Sequence, residues 1–548
     1  QGKLKDAIEA YKKSIFLKPD SAETHNNFGS ALNALEEFGE AVNAFNKAIQ
    51  LNPGQAELYL NIGNSYTGLG QFEEAITAYK NAIKIRPDYA LAFNNLGACL
   101  ANHNKSKEAI KAYKSALKIE PRYAEAYTNM GIALNSLGKL EEAKNAHEKS
   151  ISIKPDYEIA YNNLGNTLTN QGQLEVAIKA LNKAISLNPS YADAYNNLGI
   201  VLSRQDKLED AIELYNKSIS LKPNCADVHK NLSFAFLNIG RIKEGLDEYE
   251  WRWKTTDFLS KNKYPSRSLW DGKSDIKDKK ILLWCEQGIG DTINWASHAS
   301  FVASQTKHCV LECQEKLVPL LARSLPNVDV RPQNKNTNFE KNKFDFHIPL
   351  GSLYRYFNPQ NIRNIKRDAF LLPDPLRVNF WRDRLTTLGN GPYVGISWKS
   401  SDMSPERLPN YAPLSSWSPV LKVPGVTFIN LQYKDFSDDL KEIQNEYGVK
   451  VHNFDDLDHF EDLDDVAALC AALDTVVSIK MTVPLISAGV GTKTKLANWR
   501  QSVWNNVLFN PVGPSIDIFE RNTWETWDNV FDLIAADISS LGKARLPK

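Results

Sequence analysis

The chain has no excess of either charge. Its 65 Lys and Arg face 65 Asp and Glu over 548 residues, so no bulk field draws it to nucleic acid or to an anionic membrane surface. No apolar run reaches the roughly 18 residues of a membrane span. There is no CxxC pair and no His spacing suited to zinc. The six cysteines, Cys99, Cys225, Cys285, Cys309, Cys313 and Cys470, stand among apolar neighbours and read as reduced, buried thiols of a cytoplasmic protein. Methionine occurs only at 130, 403 and 481, and residue 1 is Gln. A start upstream of residue 1, with room for a targeting segment, is therefore expected. Tryptophan is missing from the first 250 residues, all twelve lying between Trp251 and Trp527. At 43% hydrophobic and 24% charged residues the composition is ordinary and globular, which excludes disorder and collagen and leaves a chain of several domains in two unlike halves.

What is present in the first half is a period. Pro19, Pro53, Pro87, Pro121, Pro155, Pro189 and Pro223 follow one another every 34 residues. Gly29, Gly63, Gly97, Gly131, Gly165 and Gly199 keep the same spacing, as do Ala7, Ala41, Ala75, Ala109, Ala143, Ala177 and Ala211. The columns break at Ser233 and Gly245. Small residues are needed where two helices of a repeat approach closely, and Pro ends the second helix. Tyr79, Tyr113 and Tyr215 are expected to fill the groove between repeats. The pattern resembles tetratricopeptide repeats over residues 1–256. Because the chain opens on only the second-helix half of a repeat, further repeats are expected before it.

A further column, of seven residues, carries the functional reading. Asn27, Asn61, Asn95, Asn129, Asn163, Asn197 and Asn231 recur every 34 residues on the first helix of each repeat, although Asn is a mediocre helix former. Two uses fit: each amide binds the neighbouring repeat and sets the superhelix, or the row grips the backbone of an extended polypeptide, since an amide offers both donor and acceptor. With repeats stacked at about 8–10 Å, an extended chain at about 3.3–3.6 Å per residue meets one Asn about every third residue. The ladder resembles the repeat half of the O-GlcNAc transferases, which implies a protein or peptide acceptor in a concave groove. After the last repeat, Glu248-Tyr-Glu-Trp-Arg-Trp253 brings the first two tryptophans. Trp251 and Trp253 are expected to dock the repeats rigidly onto the second half, with residues 257–280 as connector.

From residue 281 short apolar runs alternate with helical stretches, the sign of βαβ units and parallel sheets. Strands are expected at 281–285, 309–313, 328–330 and 344–348, then at 393–398, 426–431, 449–451 and 475–479. A Pro-rich stretch from Leu372 and the Gly389-Asn-Gly-Pro turn separate the two sets. The expected fold is an α-helical solenoid followed by α/β: two Rossmann-like lobes of a glycosyltransferase B fold, 281–388 and 389–548, with a final helix near 524–539 crossing back.

Trp284 to Ala296 places a Gly288-Ile-Gly290-Asp291 turn after the first strand and at a helix start, where backbone N–H groups face a cleft. This segment resembles the opening motif of heptosyltransferase-like glycosyltransferases, over residues 265–540, and the plan is similar to bacterial repeat-containing protein glycosyltransferases of the flagellin type. The resemblance implies Asp291 as catalytic base; helix capping is its bland counterpart. His298 is a second, weaker base. Lys399 ends a strand at its carboxyl edge, where a cation neutralises a leaving nucleoside diphosphate, with Arg407 as a further contact and Gln432 placed to read the base. Leu473 to Gly491 follows the family's register but departs from it: Lys480 stands where the family has Asp, Thr482 replaces Gly and Leu485 replaces His. Either Lys480 and Thr482 bind a changed donor, with Gly288 and Gly290 opposite, or donor chemistry is lost. Gly489-Val-Gly-Thr-Lys-Thr494 lacks phosphate-loop spacing. The acidic run 455–465 precedes a helix and reads as a cap, without a metal.

The expectation is a metal-independent glycosyltransferase with no cofactor, moving a sugar from a nucleotide-sugar co-substrate to a Ser or Thr hydroxyl of a polypeptide held by the repeats. Its rival is a non-catalytic protein-interaction scaffold with a degenerate transferase domain. A third possibility is a glycan acceptor, with the repeats only recruiting partners.

Overall fold

The computed structural model describes residues 2–255, 258, 268–333, 344–356, 369–400, 411–434, 436–499, 515–521 and 525–543. The chain divides into two compact units, Gln1–Val201 and Leu202–Lys548. The division falls inside the repeat array and not at its end near 256.

In the first unit, helices such as Ala56–Gly68 and Phe72–Ile85 pair within each repeat. The periodic residues explain the pairing. Ala41, Ala75, Ala109, Ala143 and Ala177 are wholly buried. A Cβ at Gly63 would lie 2.6 Å from the Tyr79 ring, and one at Gly97 would lie 2.6 Å from that of Tyr113. Only glycine admits a ring this close. Tyr79 and Tyr113 therefore fill the space inside their own repeat, resting on its Gly, where the period alone suggested a place between repeats. The second helices end at Leu51, Ile85, Ile119, Ile153 and Leu187, two residues ahead of each Pro, because the position before proline disfavours helical backbone.

The second unit opens with helices Leu208–Leu221, Ala226–Asn238 and Ile242–Tyr249 and a 3-10 turn, Glu250–Lys254. Among the described residues ten strands follow: β1 Lys280–Trp284, β2 His308–Cys313, β3 Asp329–Pro332, β4 Phe346–Pro349, β5 Tyr393–Ser397, β6 Thr427–Asn430, β7 Val451–His452, β8 Thr475–Ile479, β9 Thr494–Trp499 and β10 Ile516–Arg521. They form a four-stranded sheet ordered β3-β2-β1-β4 and a six-stranded sheet ordered β10-β9-β8-β5-β6-β7. All the pairings are parallel. Eight strands match the expected runs to within a few residues, and β9 and β10 are additional. Strand order reverses between β1 and β4 in one sheet and between β5 and β8 in the other. Such switch points are where open parallel sheets bind ligands, beyond the strands' carboxyl ends.

The acidic run joins the two sheets' surroundings. Asp462 accepts the backbone N–H of Asp465 at 3.0 Å, a helix cap, while Arg323 grips Asp464 with two bonds of 2.8 Å. Arg377 and the Trp381 indole both donate to Asp465 at 2.8 Å. The final helix, Asp528–Lys543, buries Val530, Phe531, Ile534 and Ile538 with Trp417 and Phe428 of the six-stranded sheet's core, its apolar stripe matching that surface.

One buried group in the first unit makes stability pH-dependent. His147 holds the ring position of its repeat, against Gly131, and neither ring nitrogen has a hydrogen-bond partner among the described residues. Burial pushes its pKa down to about 4, below the ordinary value of about 6.5. The unfolded chain therefore takes up the proton first, so stability is full above about pH 6.5 and falls by about 1–3 kcal/mol toward pH 4. All tryptophans lie at 251–527, so helical circular dichroism set against tryptophan fluorescence separates the units. In urea titrations at pH 7.5 and 5, the dichroism midpoint should fall with pH in the native chain and much less in His147→Leu, which copies Leu181 of the next repeat.

Candidate functional site

The asparagine column forms bonds between repeats. Nδ2 of Asn61 donates to Asn26 Oδ1 at 3.0 Å, Asn95 to Asn64 at 3.0 Å, Asn129 to Asn94 at 3.1 Å and Asn197 to Asn162 at 2.8 Å. Asn163 instead donates to the Ile159 carbonyl at 2.8 Å. In each of these bonds the amide nitrogen is the donor, and all seven ladder residues, Asn27 and Asn231 included, are half-exposed. The ladder therefore has a structural role and still presents amides to solvent.

In the second unit, helix Ile289–Ala296 starts at the turn after β1, with Gly288 as its cap residue and Asp291 half-exposed in its first turn. Helix Thr482–Gly489 starts after β8. The two starts meet. A Cβ on Gly290 would lie 3.1 Å from Leu485 and 3.7 Å from Thr482 Oγ1. Leu485, which stands where the resembled family has His, thus packs on the glycine turn and seals that contact with apolar surface. Lys480 is half-exposed on the loop between β8 and this helix.

At the same sheet, Lys399 follows β5, so Lys399 and Lys480 flank its switch point. The Lys399 ammonium is ion-paired with Asp439 at 2.5 Å, and the Trp398 indole donates to the same carboxylate at 2.7 Å. Gln432 is fully buried. Its Oε1 accepts the N–H groups of Trp398 and Lys399 at 3.0 and 2.9 Å, and its Nε2 donates to the carbonyls of Lys399 and Tyr433 at 2.7 and 2.9 Å. Both ends of the amide are engaged with backbone, so the geometry makes Gln432 the brace of the Lys399 loop and not a reader of a base. Arg407 lies outside the described residues. His298 is buried against Tyr354, with ring centroids 4.3 Å apart, a core position.

The docking expectation divides. Trp253 packs on Trp284 of β1 with centroids 5.7 Å apart. Trp251 stacks on His229 of the last repeat at 3.7 Å, with Lys254 3.7 Å from its ring centroid, so it closes the repeat and does not dock. Between them Arg252 is buried and ion-paired with Glu250 at 2.6 Å and Glu286 at 3.1 Å. Complete burial pushes the Glu286 carboxyl up to about 7, against the pull of Arg252. The signal for this pair was a charge set inside apolar runs, Trp-Arg-Trp and Trp-Cys-Glu.

Among known families, the model of the cilia and flagella-associated protein 70 C-terminal domain, a repeat model, matches residues 1–197, and the tetratricopeptide-repeat model matches residues 192–225. This chain carries tetratricopeptide repeats. It is 30% identical over 315 residues to protein FlbA of Caulobacter vibrioides, covering 55% of this chain and 52% of that protein. The chain thus spans about half the length of the curated relative it matches. Among solved structures it is similar to a tetratricopeptide-repeat protein of Parabacteroides merdae, at 19% identity and TM-score 0.39, over 43% of this chain and 93% of that one. It is also similar to YrrB, described as having an unusual peptide-binding site, at 25% identity and TM-score 0.28, over 33% and 94%.

The brace role of Gln432 is open to test. Gln432→Leu leaves two backbone N–H groups and two carbonyls without their partner and should cost about 2–4 kcal/mol. Urea unfolding followed by tryptophan fluorescence should show the loss. An unchanged midpoint would contradict the brace.

Proposed function

We propose that the chain is a protein-interaction scaffold: the repeats hold an extended polypeptide segment on their row of asparagines, and the sheet-bearing half is a glycosyltransferase-like domain whose site groups are largely engaged internally. The observation that carries the scaffold is the half-exposed ladder, a regular row of neutral amides suited to peptide backbone of any sequence. The engagement of Lys399 by Asp439 and of Gln432 by backbone supports the same reading. The repeat-family matches and the likeness to FlbA agree with it. Fold alone assigns no chemistry.

The second reading is transfer of a sugar from a nucleotide sugar to a hydroxyl of the bound polypeptide, on a glycosyltransferase B plan. One observation favours it: Lys399 and Lys480 flank the six-stranded sheet's switch point, where a diphosphate would sit. Asp291 on the facing turn would then act as base.

Two measurements on the full chain separate these readings. On an array of unstructured peptides about 15 residues long, enough to span several rungs at about 3.3–3.6 Å per residue, the chain should bind, and Asn61→Ala/Asn95→Ala/Asn129→Ala should bind at least about tenfold more weakly. Undiminished binding would remove the ladder from recognition. In a panel of nucleoside diphosphates and nucleotide sugars, the scaffold reading expects no rise in the tryptophan-monitored melting temperature. A rise, lost in Lys480→Ala, would establish the transferase reading of the site instead.

A further inference from the structure

The four-stranded sheet's switch point lies between β1 and β4, and it is already filled. The filler comes from the last repeat. Arg252 Nη2 donates to Glu286 Oε1, on the loop after β1, at 3.1 Å, and to Ser352 Oγ, after β4, at 2.8 Å. Its Nη1 donates to Glu250 at 2.6 Å and to the Tyr249 carbonyl at 3.3 Å. Glu286 Oε1 also accepts the Gly351 N–H at 3.0 Å, so one carboxylate ties the two loops together. A second strut runs beside the first. Gln287 Nε2 donates to Tyr249 Oη at 2.5 Å, and Gln314 Nε2 donates to the Gln287 carbonyl at 3.0 Å. At the rim, Arg355 donates to Asp247 at 2.6 Å. Glu286 and Gln287 immediately precede the Gly288–Asp291 turn.

A guanidinium withdrawn from water needs acceptors for its donors. Here acceptors for both terminal nitrogens are supplied by the two loops that border the crevice and by the last repeat itself, while Nε has none among the described residues. The crevice in which an open parallel sheet ordinarily takes a ligand thus holds a side chain of the same chain.

We propose that Arg252 is a positioning residue that occupies this crevice from the last repeat and, through Glu286, sets the Gly288–Asp291 turn, so that the repeat end and the turn move as one element. A ligand or partner that shifts helix Ile242–Tyr249 therefore changes the turn. The four-stranded sheet's crevice is closed to small molecules, and binding in this half is left to the other switch point. The inference does not depend on the choice between scaffold and transferase, because its readout is the turn.

Hydrogen exchange followed by mass spectrometry on the full chain tests it. In Arg252→Met and Glu286→Ala, exchange of peptides covering 286–296 should rise about tenfold or more while peptides covering β8 and β9 keep native protection. Glu286→Gln keeps an oxygen that accepts from both Arg252 and Gly351 and should stay near native exchange. Tyr249→Phe, which removes only the second strut, should raise exchange at 287–291 alone. Native-level exchange at 286–296 in Arg252→Met overturns the proposal. So does a rise spread evenly over both sheets, which marks a general loss of stability. If Arg252→Met does not fold, Glu286→Gln and Tyr249→Phe decide: exchange in Glu286→Gln raised as much as the substitution to Ala raises it, or native exchange at 287–291 in Tyr249→Phe, overturns it.

Discussion

A charged side chain buried between the end of the repeats and the first sheet is the constraint on which the second unit depends. Removing a guanidinium from water costs several kcal/mol, returned only when its donors find acceptors in good geometry. Arg252 finds them in Glu250, Glu286 and Ser352, which belong to the repeat end, the loop after β1 and the segment after β4. Removing either carboxylate leaves the buried charge with one anionic partner fewer. The last repeat therefore belongs to the compact unit Leu202–Lys548, and a partition made where the 34-residue period ends would cut through this contact.

The first unit follows a different logic. Its repeats need no charge at their cores, only Ala and Gly where helices touch and one large side chain seated on each Gly. This makes each repeat interchangeable in plan and sensitive at one position. Phe45, Tyr79, Tyr113, His147 and Leu181 all occupy the same seat. The His alone brings ring nitrogens that find no partner among the described residues.

The period, the helices and eight strands were legible because they rest on small, proline and apolar residues whose spacing is set locally. Strands β9 and β10 were not. Thr494-Lys-Leu-Ala-Asn-Trp499 interleaves polar residues with the apolar run, and Lys495 is buried only because Asp517 and Asp537 pair with it, a tertiary fact. The same limit applies at the site. Gly288, Gly290 and Thr482 could be chosen from sequence, and the fold does bring Gly290 against Thr482. That Lys399 is neutralised by Asp439, forty residues on, or that Gln432 braces the loop beside it, depends on strand order. Trp251 and Trp253 drew attention as docking residues, yet the buried contact belongs to the arginine between them.

Native-state hydrogen exchange as a function of denaturant tests most directly whether the repeat end and the first sheet are one structural element. The amides of helix Ile242–Tyr249 and of β1 should merge into a single opening isotherm with a common free energy and slope, distinct from that of helices Ala56–Gly68 and Phe72–Ile85. If helix Ile242–Tyr249 instead opens with the first-unit repeats while β1 stays protected, the account is contradicted.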